Sequence, residues 1–200
     1  MRTYAQRLLL GLWAAAMLLI GSYLLAPHLV ALPAPGEIDP GLRAGIARVL
    51  RETEPGRWLA LHVLYDSCGC SERVLQHLVG RKALPDVSER VVYVGAQGGP
   101  RGPLLGAGFS YEQLDAEGLR SRYHVEAAPL LIVADGGGRV RYVGGYTARK
   151  RGPEIRDVDI VRRVQGGEAV APLPVFGCAV SAALRSALDP LRVTSSRGER

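Results

Sequence analysis

Two thiols separated by one residue, Cys68-Gly69-Cys70, are the residues here best suited to chemistry. They follow an apolar, strand-like run, Trp58–Tyr65, and precede a helix-like run, Ser71–Val79. Cysteines at a strand-to-helix turn suit redox chemistry or capture of a soft metal. Both need a thiolate, and a helix N-terminus favours one. A Cys68–Cys70 disulfide would close a very small ring, which Gly69 permits at the cost of strain. Such a bond is labile and oxidising or isomerising rather than structural. The bland alternative is a static disulfide. Cys68, at the entry to the helix, is the better nucleophile, and Cys70 the resolving thiol.

The third cysteine, Cys178, precedes another helix-like run that reaches Leu188. Three readings stand open for it: a buried inert thiol, a redox partner of Cys68 or Cys70, or a third thiolate ligand for copper(I) or zinc. His62 lies within the apolar strand, as a proton relay or as a core histidine with a hydrogen-bond partner. His77 is expected on the surface, His124 in solvent and His28 in a linker. Asp66 would raise a nearby thiol or cap the turn. Gly98–Pro103 lacks the Gly-Lys-Ser/Thr ending of a phosphate loop and reads as a plain loop.

These residues need a scaffold and a compartment. Leu8–Ala26 is uncharged, apolar and near the ~20 residues that span a bilayer. Arg2 and Arg7 precede it and no Lys or Arg follows until Arg43, which places the N-terminus in the cytoplasm. Residues 1–7 are then the cytoplasmic end and 8–26 a single anchor in a bacterial inner membrane. The rest faces an oxidising periplasm. A cleaved signal peptide is the rival, with h-regions of roughly 7–15 residues and a small-residue cleavage site. Residues 27–55 read as a Pro-rich spacer and a short helix capped by Asp39 with Pro40 at its first position. Residues 56–190 form the domain, and 191–200 a frayed tail. The 200 residues, net charge +6, show no basic stripe interleaved with aromatics, so no nucleic-acid partner is expected.

The domain alternates. Strands are expected at Trp58–Tyr65, Val91–Ala96 and Leu130–Ala134. A turn at Asp135–Gly138 leads to a returning strand, Arg139–Gly144. Helices are expected at Ser71–Val79, Tyr111–Tyr123, Ile155–Val164 and Cys178–Leu188, with a glycine-rich loop over 96–110. This is an α/β layout with a mixed central sheet flanked by helices.

At this point the chain resembles the thioredoxin-like superfamily. The match is carried by strand–Cys68-Gly69-Cys70-Ser71–helix, then Val125-Glu126-Ala127-Ala128-Pro129 leading into Leu130–Ala134, then the hairpin with Gly136, Gly137 and Gly138. It covers about Trp58 to Val164. The sequence departs from the family in the single residue between its cysteines, in Ser67 where a Trp is usual, in the 96–110 insertion, and in His62 where the family has a buried acid. The resemblance implies a thioredoxin-like fold after one transmembrane helix, with Pro129 following a cis peptide bond and facing the thiols. It further implies a membrane-tethered thiol–disulfide oxidoreductase acting on protein thiols and disulfides without a cofactor, served by an upstream redox partner. Two alternatives stand beside it: a thioredoxin-fold copper chaperone using Cys68, Cys70 and Cys178, or a non-catalytic partner-binding domain.

Overall fold

In the computed structural model, residues 2–29, 31–95, 98–150 and 152–189 are described. Ala96, Gln97 and the expected tail beyond Pro190 lie outside them. The chain divides into two compact units, 1–30 and 31–200.

The first unit is one helix, α1 (Arg2–Leu29). Its stretch Tyr4–Tyr23 is long and apolar enough to be a membrane span or a signal sequence. The helix runs through Pro27 and His28, which the sequence reading placed in a linker.

The second unit opens with α2 (Pro40–Arg51), where Asp39 Oδ1 accepts the Leu42 N–H at 2.8 Å and Pro40 fills the first turn. The helix buries Leu42, Ile46 and Val49 in the core. Five strands form a mixed sheet in the order β3-β2-β1-β5-β6. They are β1 (Trp58–Tyr65), β2 (Val87–Val94), β3 (Ser110–Leu114), β5 (Leu130–Ala134) and β6 (Val140–Gly144). β1 runs parallel to β2 and antiparallel to β5. A separate two-residue strand, β4 (Ala127–Ala128), pairs with β7 (Cys178–Ala179).

Helices cover the sheet: α3 (Gly69–Arg81), α4 (Arg101–Gly106), α5 (Ala116–Tyr123), α6 (Asp157–Gln165) and α7 (Ala182–Leu188). Strand alternation assigns the faces. Leu59, Leu61 and Val63 of β1 join the core built with α2 and α5, while Ala60 and Leu64 join the one built with α3, α4 and α6.

Four sequence expectations are corrected. The glycine-rich loop contains α4, because Leu104 and Phe109 are apolar anchors that bury against the sheet. The helix expected over 111–123 begins only at Ala116. Residues 110–114 instead pair parallel with β2, and Asp115 starts the helix by accepting the Gly118 N–H at 2.7 Å. β2 begins at Val87, ahead of the expected Val91, where apolar Val87 and buried Glu89 already alternate with half-buried neighbours. Cys178 is in a strand, and α7 starts after it where the Ser181 hydroxyl caps Leu184 N–H at 3.0 Å.

Candidate functional site: two thiols around the sulfur of a third

The turn from β1 into α3 sets Cys68 at the helix N-cap in an extended conformation, with Cys70 in the first turn. Ser71 fixes this junction: its buried hydroxyl accepts the Tyr65 N–H at 3.0 Å, tying strand end to helix start. Asp66 accepts the Ser67 hydroxyl at 2.8 Å in the exposed part of the turn.

Cys178 arrives from the other end of the chain. β7 pairs antiparallel with β4, Cys178 opposite Ala128 and Ala179 opposite Ala127. The Ala128–Pro129 peptide bond is cis, and Pro129 is buried beside the thiols. The Cys68 Sγ lies 3.8 Å from the Ala128 carbonyl oxygen. The β4–β7 pairing and the turn into α3 thus bring Cys178 and Cys70 to Cys68, and Pro129 lines the cleft beside Cys70, so all three sequence-predicted thiols and Pro129 meet at one place. All three cysteines are unbridged.

That convergence lets the cluster hold one negative charge. The hydrogen bond from Cys178, then that from Cys70, drives the Cys68 thiol far below the ordinary range. The amides of Ser71 and Cys70 at the helix start add to this. Cys70 and Cys178 are pushed up, chiefly because each donates its proton to Cys68, and burial reinforces the effect. The charges of Lys150 and Arg73 oppose the rise at Cys70.

Exposure divides the thiols. Cys68 is only 1% exposed, while Cys70 and Cys178 are half-buried. Cys70 lines a cleft of about 30 Å³ with Arg73, Pro129, Tyr146 and Phe176, which is room for about one water. Arg73 closes one wall by donating to the Gly152 carbonyl.

Behind the cleft lies a buried polar network, of which the sequence foretold only His62 as a core histidine with a partner. His62 is fully buried, its Nδ1 2.9 Å from the Tyr146 hydroxyl and its Nε2 3.1 Å from Glu89 Oε1. A carboxylate only accepts, so Nε2 carries the hydrogen, while the Tyr146 hydroxyl sits between Nδ1 and the Leu130 carbonyl, 3.4 Å away. Glu89 also accepts from Arg81 at 2.6 and 3.0 Å and from the Leu84 N–H at 2.6 Å. Arg81 reaches Asp157 at 2.8 Å, and Asp157 holds His77 at 2.9 Å. His77, expected on the surface, is therefore tied to a carboxylate that is 1% exposed. Phe109 packs edge-on to His62 and under the Arg81 guanidinium. His124 is half-exposed and pairs with Asp39 at 3.1 Å. Burial alone raises the Glu89 carboxyl, but the bonds from His62 and Arg81 outweigh it and pull it to about 2.

No protein-family model matches the sequence. No curated protein matches it either. Among solved structures, a hypothetical protein from Sinorhizobium meliloti 1021 is similar at TM-score 0.48 and 18% identity, over 66% of this chain and 85% of that one. An uncharacterized conserved protein from Geobacillus kaustophilus is similar at TM-score 0.47 and 15% identity, over 66% of this chain and 80% of that one.

Proposed function

We propose that the chain is a membrane-tethered thiol–disulfide oxidoreductase of thioredoxin-like fold, acting on protein substrates outside the cytoplasm. The observation that carries this reading is the convergence of Cys70 and Cys178 on the sulfur of Cys68, beside Pro129. A thiolate held by two neighbouring S–H groups is a nucleophile with its resolving partner already in reach.

The exchange runs in two balanced steps. The Cys68 thiolate attacks one sulfur of a substrate disulfide; that S–S bond breaks, and the second substrate sulfur leaves as a thiolate that takes up a proton. Cys70 or Cys178 then gives up its proton and attacks the Cys68 sulfur of the mixed disulfide. The first substrate sulfur leaves and is protonated, so the substrate gains two electrons and two protons while the chain gains a disulfide. The reverse sequence oxidises a substrate dithiol. His62 sits behind Tyr146, which lines the cleft, so the proton-relay role expected of it would run through the Tyr146 hydroxyl.

The test is a redox titration of the full chain in detergent, by thiol trapping across glutathione ratios, beside Cys68→Ser. A reversible two-electron couple, roughly −200 to −120 mV, that vanishes in Cys68→Ser is the expected result. The absence of any couple would sink the oxidoreductase reading. Stoichiometric copper on the same samples would then favour the copper-handling alternative.

A further inference from the structure

We infer that Cys178, held against β4 by β7, is the thiol that closes the disulfide with Cys68, and that β7 fills from within the backbone edge on which a substrate's extended, cysteine-bearing segment would pair. The inference rests on the thiol–disulfide reading above and adds which thiol resolves and what the docking edge recognises.

Three observations carry it. The first is occupancy. β4 offers one short backbone edge beside the nucleophile, and its partner is a segment of this same chain with a cysteine opposite Ala128. Adding an extended segment to a free strand edge is a general way of binding a peptide, with main-chain bonds giving affinity and side-chain pockets giving selectivity. The second is fit. A Cβ on Gly177 would lie 1.9 Å from the Ala128 carbonyl oxygen and 2.6 Å from Pro129 Cδ. Only glycine lets the chain pass close enough to deliver the next residue's thiol to Cys68. The third is access. Cys68 is 1% exposed with β7 in place, so a substrate sulfur reaches it only when part of its cover moves, and β7 is the part paired on β4 beside it.

Substrate and β7 therefore compete for one edge. A substrate segment that pairs with β4 forms the mixed disulfide with Cys68. When β7 returns, the Cys178 thiol loses its proton and attacks the Cys68 sulfur; the bond to substrate breaks and the substrate sulfur departs to be protonated. The same motion resolves the intermediate and expels the product. A Cys68–Cys178 bond also avoids the strained small ring of Cys68–Cys70. The substrate class that fits is an extended polypeptide with a small residue, glycine above all, immediately before its cysteine.

The full chain in detergent is oxidised in glutathione buffer, its remaining thiols are blocked with N-ethylmaleimide, and it is digested with trypsin. Cys68 and Cys70 fall on the peptide Trp58–Arg73, and Cys178 on Val164–Arg185. Mass spectrometry is expected to find these two peptides cross-linked, with the maleimide on Cys70. A bridge inside Trp58–Arg73 with a blocked Cys178 would overturn the inference and leave the oxidoreductase reading standing. Three blocked thiols at every glutathione ratio would overturn both. In Gly177→Val, which cannot seat β7, the cross-link is expected to be lost and the bridge to move within Trp58–Arg73. Retention of the cross-link there would overturn the role given to β7.

Discussion

Glu89 shows how one buried side chain ties stability to pH. Its carboxylate accepts from Arg81, His62 and the Leu84 amide while itself only 3% exposed. Its folded value of about 2 lies below the ordinary 4.5, so the folded state binds its proton less readily than the unfolded chain. A depressed carboxyl stabilises the fold above its unfolded value and loses that contribution as pH falls toward its folded one. The expected outcome is a loss of stability between about pH 4.5 and 2 that Glu89→Gln flattens. The same substitution should cost roughly 3–5 kcal/mol at neutral pH by leaving Arg81 short of its partner. Chemical denaturation across that pH range checks both. Of this network only His62, read as a core histidine with a hydrogen-bond partner, was legible in the sequence. Arg81, Glu89, Asp157 and His62 come from four different elements, and only the fold sets them side by side. The adjacent thiols, by contrast, were legible, because Cys68 and Cys70 are neighbours in the chain and the turn between strand and helix is a local property.

Among the elements, legibility followed the range of the interactions that make them. β1 and β5 matched their expected ends because each is a continuous apolar run bounded by turn residues. α2 was legible from its cap, a purely local contact. Asp39→Ala removes that cap together with the exposed pairing to His124; it should cost about 1 kcal/mol, the usual worth of an N-cap, and lower the melting midpoint without touching the thiol chemistry, which thermal unfolding of both forms measures. β3 was misread as the start of α5 because Tyr111 and Leu114 fit either period, and the choice is made by pairing with β2. β7 was missed for the same reason in sharper form. Two residues carry no pattern of their own, and Cys178 becomes a strand residue only because β4 lies opposite. The best signal available was Gly177 directly before Cys178.

For the whole molecule, the consequential division is between α1 and the unit that begins at Ala31. An uncleaved anchor predicts that the chain stays in the membrane pellet after alkaline carbonate extraction. A signal sequence predicts instead a soluble product whose mass lacks the N-terminal helix. Intact mass and fractionation together decide this. The coarse plan, a mixed sheet flanked by helices after one apolar helix, was readable from hydrophobic periodicity. The pairing of β7 with β4 that carries Cys178 to Cys68 was not.

The stretch between Ala31 and α2 is fastened at one described point, where the Leu32 N–H donates to the Val175 carbonyl at 2.9 Å. Val175 lies just upstream of Cys178 in the chain. Seen as a load path, any pull on this stretch reaches the sheet through this backbone bond, worth only about 0.5–1.5 kcal/mol, and through the Leu32 side chain packed on the core. The segment that carries Cys178 is thus fastened to the N-terminal stretch three residues before that thiol. Leu32→Pro removes that donor, and faster maleimide labelling of Cys178 in this variant than in the parent chain is the expected sign that the Leu32–Val175 bond helps to hold β7 in place.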